Sequence, residues 1–138
     1  MFAIGRNILI LSRRFNNFLS AELRDDDLTA TELMYLAVLF DKDGQTQEEL
    51  AQALDIDKAA TTRTIRQMEA RGIVVRKEDE NDKRAKRVFL TDQARPYLDR
   101  IKQIQQHWIK SAHAAFTKEE SNQVDSILQR LVDATDNK

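Results

Sequence analysis

The chain has 138 residues, 41% of them hydrophobic and 33% charged, the balance of one ordinary domain with a real core and a wet surface. Three glycines and one proline exclude collagen-like chains, low-complexity chains and a turn-rich all-β sandwich. The lack of cysteine excludes disulfide scaffolds, cysteine-ligated zinc sites and thiol switches. No apolar run reaches the roughly 18–20 residues of a membrane span. The apolar residues 1–11 lack the flanks of a signal peptide, so a soluble, cytoplasmic protein with no membrane partner is expected. Net charge is −1, yet residues 57–91 hold ten Lys+Arg against six acids, a local +4, while the remainder holds 12 against 17, or −5. A basic segment inside an acidic protein is a candidate footprint for a polyanion.

Helical periodicity opens the chain, with Ile4, Ile8, Leu11, Phe15, Phe18 and Leu23 on one apolar stripe that Asp25-Asp26-Asp27 interrupts. Three later helices begin with a threonine followed three residues on by glutamate: Thr29…Glu32, Thr46…Glu49 and Thr117…Glu120. In that pattern the hydroxyl satisfies an orphan amide while the carboxylate reaches back to the cap. Asp57 is the expected cap of a further helix that runs to Gly72, a residue suited to a left-handed terminus. Two β-branched runs of strand length follow, residues 73–78 and 85–90, joined by a charged, glycine-free tip over Asp79–Arg84. Thr91 then caps a long helix with Tyr97, Leu98, Ile101, Ile104, Trp108 and Ile109 on its apolar side. Pro96 predicts an irregular or late first turn there. The last helix carries Val124, Ile127, Leu128 and Leu131.

Three helices, a recognition-like helix, a two-stranded hairpin and two more helices make a mainly α (α+β) fold. Its centre is a winged helix-turn-helix core with a β-hairpin wing. The expected organisation is a single domain over 1–138, with the DNA-binding core at 29–91. Helices at 2–24 and 92–136 bury Phe15, Phe18, Trp108 and Phe116 against a second copy. At 100° per residue the helix after Asp57 places Thr61, Ile65, Met68 and Glu69 on one side, with Ile65 and Met68 as core anchors. Ala59, Arg63, Arg66, Gln67 and Ala70 fall on the other. A helix entering the major groove needs small residues near its start for close approach and long donors for base edges and phosphates. Lys58, Ala59, Ala60, Thr61, Thr62, Arg63, Arg66 and Gln67 are therefore the candidate recognition residues. Lys83, Arg84 and Lys86 are the candidates on the wing, and Thr46 and Gln47 are candidate phosphate contacts.

Residues 46–91 resemble the DNA-binding core of the MarR (multiple antibiotic resistance regulator) family. The wing pattern D-x-R, five residues, then L-T is met by Asp82, Arg84, Leu90 and Thr91. The recognition helix ends in the matching run Gln67-Met68-Glu69-Ala70-Arg71-Gly72. Glu80 stands where the family often has proline, and a glycine the family often carries near Pro96 is missing. The resemblance implies a homodimeric transcription regulator, most often a repressor, on a pseudo-palindromic duplex operator. It also implies that Arg84 enters the minor groove and that Asp82 holds Arg84, with Arg63 as a second partner. A narrow minor groove concentrates negative potential, which favours an arginine there. A small aromatic or lipophilic effector is a further implied partner, with Arg13 and Arg14 facing its carboxylate and Phe15, Met34 and Tyr35 as apolar wall.

Other chemistries find little support. Asp41-Lys42-Asp43-Gly44 opens like a calcium loop but lacks the third acid and the closing glutamate, and reads as a tight turn. His107 and His113 are six residues apart on one helix and so share no face. With no cysteine there is no expected metal, and with no nucleophile–base pair or phosphate loop there is no expected enzyme or cofactor. The alternative to DNA binding is a winged-helix protein-interaction or dimerisation module. The operator, the regulated genes and the effector are not encoded in any readable motif.

Overall fold

In the computed structural model, which describes residues 3–112 and 114–136, the chain order is α1 (Ala3–Glu22), α2 (Ala30–Asp41), β1 (Gln45–Thr46), α3 (Gln47–Leu54), α4 (Lys58–Ala70), β2 (Val74–Glu78), β3 (Lys86–Leu90), a 3₁₀ turn (Asp92–Ala94), α5 (Arg95–Ala112) and α6 (Lys118–Ala134). Phe2 and His113 lie outside the described residues. Contacts divide the chain into two units, Met1–Ile104 and Gln105–Lys138, so α5 begins in the first and ends in the second.

The first unit is built around α2, which is apolar on several faces and is accordingly surrounded. Leu33, Tyr35, Leu36 and Leu39 from α2 meet Leu50 from α3, Ile65 and Met68 from α4, and Val74 and Val88 from the sheet, all buried. Ala94 from the 3₁₀ turn and Ile101 and Ile104 from the first unit's part of α5 close the same core. The capping boxes at Thr29 and Glu32 and at Thr117 and Glu120 form with both reciprocal bonds. At Thr46 the hydroxyl accepts from the Glu49 amide at 3.0 Å, and the return bond is not made among the described residues. Asp57 caps α4 by accepting from the Ala60 amide at 3.2 Å, and Gly72 follows that helix at φ +77°.

The expected hairpin is present, with Val74 opposite Leu90 through Glu78 opposite Lys86. A third strand joins it. β1 pairs antiparallel with β3, Gln45 with Val88 and Thr46 with Arg87, giving the order β1-β3-β2. Gly44 makes this pairing possible: its φ is +75°, and a Cβ there would sit 2.8 Å from Phe89 Cε1. Pro96 has its expected effect, since Thr91 caps a 3₁₀ turn and the α-helix proper starts only at Arg95. The α1 stripe enters the core only at its C-terminal end, where Phe15 and Phe18 pack against it. Leu19 is the buried residue of α1 and Leu23 is buried just beyond its end, while Ile4, Ile8 and Leu11 are exposed. Within the second unit Ile127, Leu128, Leu131 and Val132 of α6 are exposed along one helix. No helix among the described residues is long and apolar enough to cross a membrane.

Candidate nucleic-acid interface

The turn between α3 and α4 is short because Asp55 takes the left-handed conformation, φ 52°, and its amide closes onto the end of α3. That turn fixes α4 with Ile65 and Met68 in the core. Lys58, Ala59, Arg63, Arg66 and Gln67 are exposed, and Ala60 and Thr62 are half-buried beside them. The two small residues in the first turn leave the helix start open to close approach, with arginines one and two turns on. This is the surface expected of a recognition helix.

Thr61 does not belong to it. Its side chain is fully buried, with the hydroxyl 2.7 Å from that of Tyr35, which is fully buried too. Position 61 lies one turn before Ile65 on the core side, and two buried hydroxyls satisfy one another there. The same bond removes Tyr35 from the expected effector wall.

Gln47 is likewise not free to meet a phosphate. It is 8% exposed, its Nε2 donates to Thr62 Oγ1 at 3.2 Å, and its Oε1 accepts from Arg76 Nη1 at 3.4 Å. Thr46 is half-buried, with its hydroxyl engaged as the α3 cap.

At the wing tip Asp82 Oδ1 accepts from the Arg84 amide at 3.0 Å and lies 3.5 Å from Arg84 Nε, while the Arg84 side chain is 95% exposed. The carboxylate therefore restrains the side chain through its amide and Nε and leaves nearly all of it in solvent. Arg63 is not joined to Asp82 among the described residues. Lys83 is exposed. Lys86 Nζ lies 3.5 Å from Glu78 Oε1 on the neighbouring strand. An exposed pair of that kind is worth about 0–1 kcal/mol, so the ammonium exchanges partners at little cost.

Behind this surface lies a second set of arginines, which the sequence counted with the first. Arg76 donates from its backbone amide to Glu69 Oε2 at 2.9 Å and from Nε to Oε1 at 3.0 Å, tying β2 to α4. The Arg76 amide, ahead of its guanidinium, holds the Glu69 carboxyl below the usual carboxylate range, against an opposing push from burial. Arg87 donates to Asp79 Oδ1 at 3.1 Å and to the Gly44 carbonyl at 2.8 Å, joining the wing base to the turn before β1. Its hydrogen bond is the main reason the Asp79 carboxyl is also lowered. Arg71 pairs with the buried Glu32 carboxylate that caps α2. Outside the basic window, Arg100 bonds Asp26 at 3.1 Å and the Glu22 carbonyl at 2.6 Å. The Asp26 bond first, then Glu22, raises its pKa. The sequence signal for these roles is weak: a strand arginine five to seven residues past a helical glutamate marks a pair only once the turn at Gly72 folds one onto the other.

Of the expected effector residues, Phe15 and Met34 line one groove of about 250 Å³ together with Leu19, Ala30, Thr31 and Ile56. Arg13 lies instead along the exposed face of α1 with Arg6, Ile8 and Leu9, and Arg14 is exposed. No group of His, Asp and Glu suited to a metal occurs among the described residues.

The family model for MarR matches residues 28–86, which span the start of α2 to the wing. The HTH-type transcriptional regulator YybA of Bacillus subtilis (strain 168) is 27% identical over 128 residues, which cover 93% of this chain and 85% of that one. The structure of a MarR transcriptional regulator from Methanosarcina mazei Go1 matches with a TM-score of 0.85 at 27% identity, covering 95% of this chain and 94% of that one. The S. aureus MepR–DNA complex shares the fold at a TM-score of 0.81 and 20% identity, covering 97% and 99%. Residues 28–86 thus match the MarR family, and along nearly its whole length the chain is similar to winged-helix transcriptional regulators of that family.

Proposed function

We propose that this protein is a cytoplasmic repressor that binds a pseudo-palindromic duplex operator as a homodimer. Each protomer lays α4 in the major groove, with Lys58, Ala59, Ala60, Thr62, Arg63, Arg66 and Gln67 toward the duplex. The wing reaches the adjacent minor groove through Arg84, flanked by Lys83 and Lys86. The observation that carries this reading is the wing tip itself, where an arginine side chain 95% exposed is restrained by Asp82. A protein-interaction wing has no use for a restrained, solvated arginine beside a basic helix.

The exposed apolar residues Ile4, Ile8 and Leu11 of α1 and, in the second unit, Ile127, Leu128 and Leu131 support dimerisation through 2–24 and 92–136, since a monomer rarely leaves such faces in water. The groove at Phe15 and Met34 supports a small aromatic or lipophilic effector that releases the protein from DNA. Binding to a duplex selected by the protein from a random pool, followed across salt concentrations, tests the reading. A steep fall of log affinity with log salt is expected, from released counterions. A flat dependence overturns it in favour of a protein-interaction module. Sedimentation at low micromolar concentration is expected to show twice the 16.0 kDa chain mass.

A further inference from the structure

The Thr62 hydroxyl ends a chain of hydrogen bonds whose direction is set at its far end. Glu69 accepts twice from Arg76. A guanidinium carries donors only, so the Gln47 atom facing Arg76 Nη1 is the carbonyl oxygen Oε1. This orientation turns Nε2 toward Thr62 Oγ1, and an amide nitrogen only donates. The Thr62 hydroxyl therefore accepts, and its single proton is left for another partner.

The other two threonines of α4's middle turns spend their hydroxyls inside the protein. Thr61 bonds Tyr35, and Thr64 Oγ1 donates to the Ala60 carbonyl of its own helix at 3.1 Å. Thr62 makes no such bond to its own helix among the described residues. It is half-buried, within one turn of the exposed Ala59, Arg63 and Arg66. An unrestrained threonine hydroxyl swivels and meets donors and acceptors alike. One that already accepts a bond from a fixed amide is biased to donate.

On the reading of α4 as the helix that meets DNA, we propose that Gln47 is a positioning residue that presents the Thr62 hydroxyl as a donor to an acceptor on the duplex. Arg76 and Glu69 set the direction. The acceptor is a phosphate oxygen or an acceptor on a base edge, such as guanine O6 or N7 or thymine O4. Gln47 thus acts on recognition without touching the nucleic acid.

Gln47→Glu tests this, because it keeps the shape and the Arg76 bond but puts an acceptor opposite Thr62, turning the hydroxyl proton inward. On the selected duplex, Thr62→Val is expected to weaken binding by roughly 3- to 10-fold, the value of one net hydrogen bond. Thr62→Ser is expected to retain binding. Gln47→Glu should cost a similar factor in the parent and much less in the Thr62→Val background. Charge repulsion from the new carboxylate acts in both backgrounds, so the double-mutant cycle removes it. Thermal unfolding checks that each variant is folded, and Gln47→Met replaces Gln47→Glu in the same cycle if it is not. A loss confined to the selected duplex assigns a base acceptor, and an equal loss on a scrambled duplex assigns a phosphate. Equal cost of the Gln47 change in both backgrounds overturns the inference while parent binding leaves the DNA reading intact. If the parent binds no duplex, that reading falls and takes the inference with it.

Discussion

The tip and the base of the wing carry the same residue type in opposite roles. Arg84, at the tip, has one local carboxylate beside it and nearly all of its side chain in solvent. Arg76 and Arg87, at the base, spend their guanidinium groups on Glu69 and Gln47 and on Asp79 and the Gly44 carbonyl. Arg71 does the same for the Glu32 cap. The difference teaches that a local charge of +4 is not a count of DNA contacts. The arginines committed internally hold the sheet, α2 and α4 in register, and the exposed ones are available to a polyanion.

If that division is right, changes at the base should lower stability and changes at the surface should lower DNA binding. The largest effect is expected for Glu32→Ala, which removes a buried cap acceptor and leaves Arg71 only the exposed Asp27 carboxylate, 3.8 Å away. Loss of about 2–4 kcal/mol in urea unfolding is expected, reduced from the fully buried case because Arg71 is partly solvated. A loss within 0.5 kcal/mol, roughly that of an ordinary surface change, would place Arg71 with the surface set instead.

Gly44→Ala is expected to cost about 1–3 kcal/mol, since it places a Cβ in a left-handed conformation against Phe89. Chemical shifts of β1 and β3 should move with it.

Acid separates the two regions further. Glu69 has its carboxyl lowered in the folded state from an ordinary value of 4.5, so its contribution to stability is complete above that value. It is lost as pH falls through the lower folded value. Unfolding midpoints of the parent should therefore drop more steeply below pH 4.5 than those of Glu69→Gln. Parallel curves would mean that the Arg76 bonds to Glu69 contribute nothing.

The smallest effect is expected for Lys86→Ala. Its exposed pair with Glu78 predicts a stability change within about 0.5 kcal/mol. As a phosphate contact, it should lower the salt slope of duplex binding by about one, on selected and random sequences alike.

Much of this division had no trace in the sequence. The caps at Thr29, Asp57 and Thr117 and the late start of α5 at Pro96 were legible, because each rests on residues a few positions apart, while the hold of Asp82 on Arg84 came from the family resemblance. β1 was not: two residues form a strand only because β3, about forty residues later, lies beside them. Helical periodicity put Thr61 on the core side, yet its small polar side chain also suited a groove, and only the Tyr35 hydroxyl resolves that conflict. Gln47 was expected to be a phosphate contact. Its burial depends on α4 and β2 closing over it, which no local pattern encodes. The apolar stripe of α1 gave the face but not how far along it the core reaches: Leu19 and Leu23 are buried, while Ile4, Ile8 and Leu11 are exposed.

The measurement that bears most directly on the whole account is the affinity of Arg84→Ala for the selected duplex, taken beside its unfolding midpoint. With the side chain 95% exposed, the midpoint should not move. Binding should weaken by about 1–3 kcal/mol, the cost of one well-placed groove contact. Affinity equal to the parent's would contradict the assignment of the wing tip to DNA. It would also remove the distinction between the arginine that reaches outward and those that hold the frame.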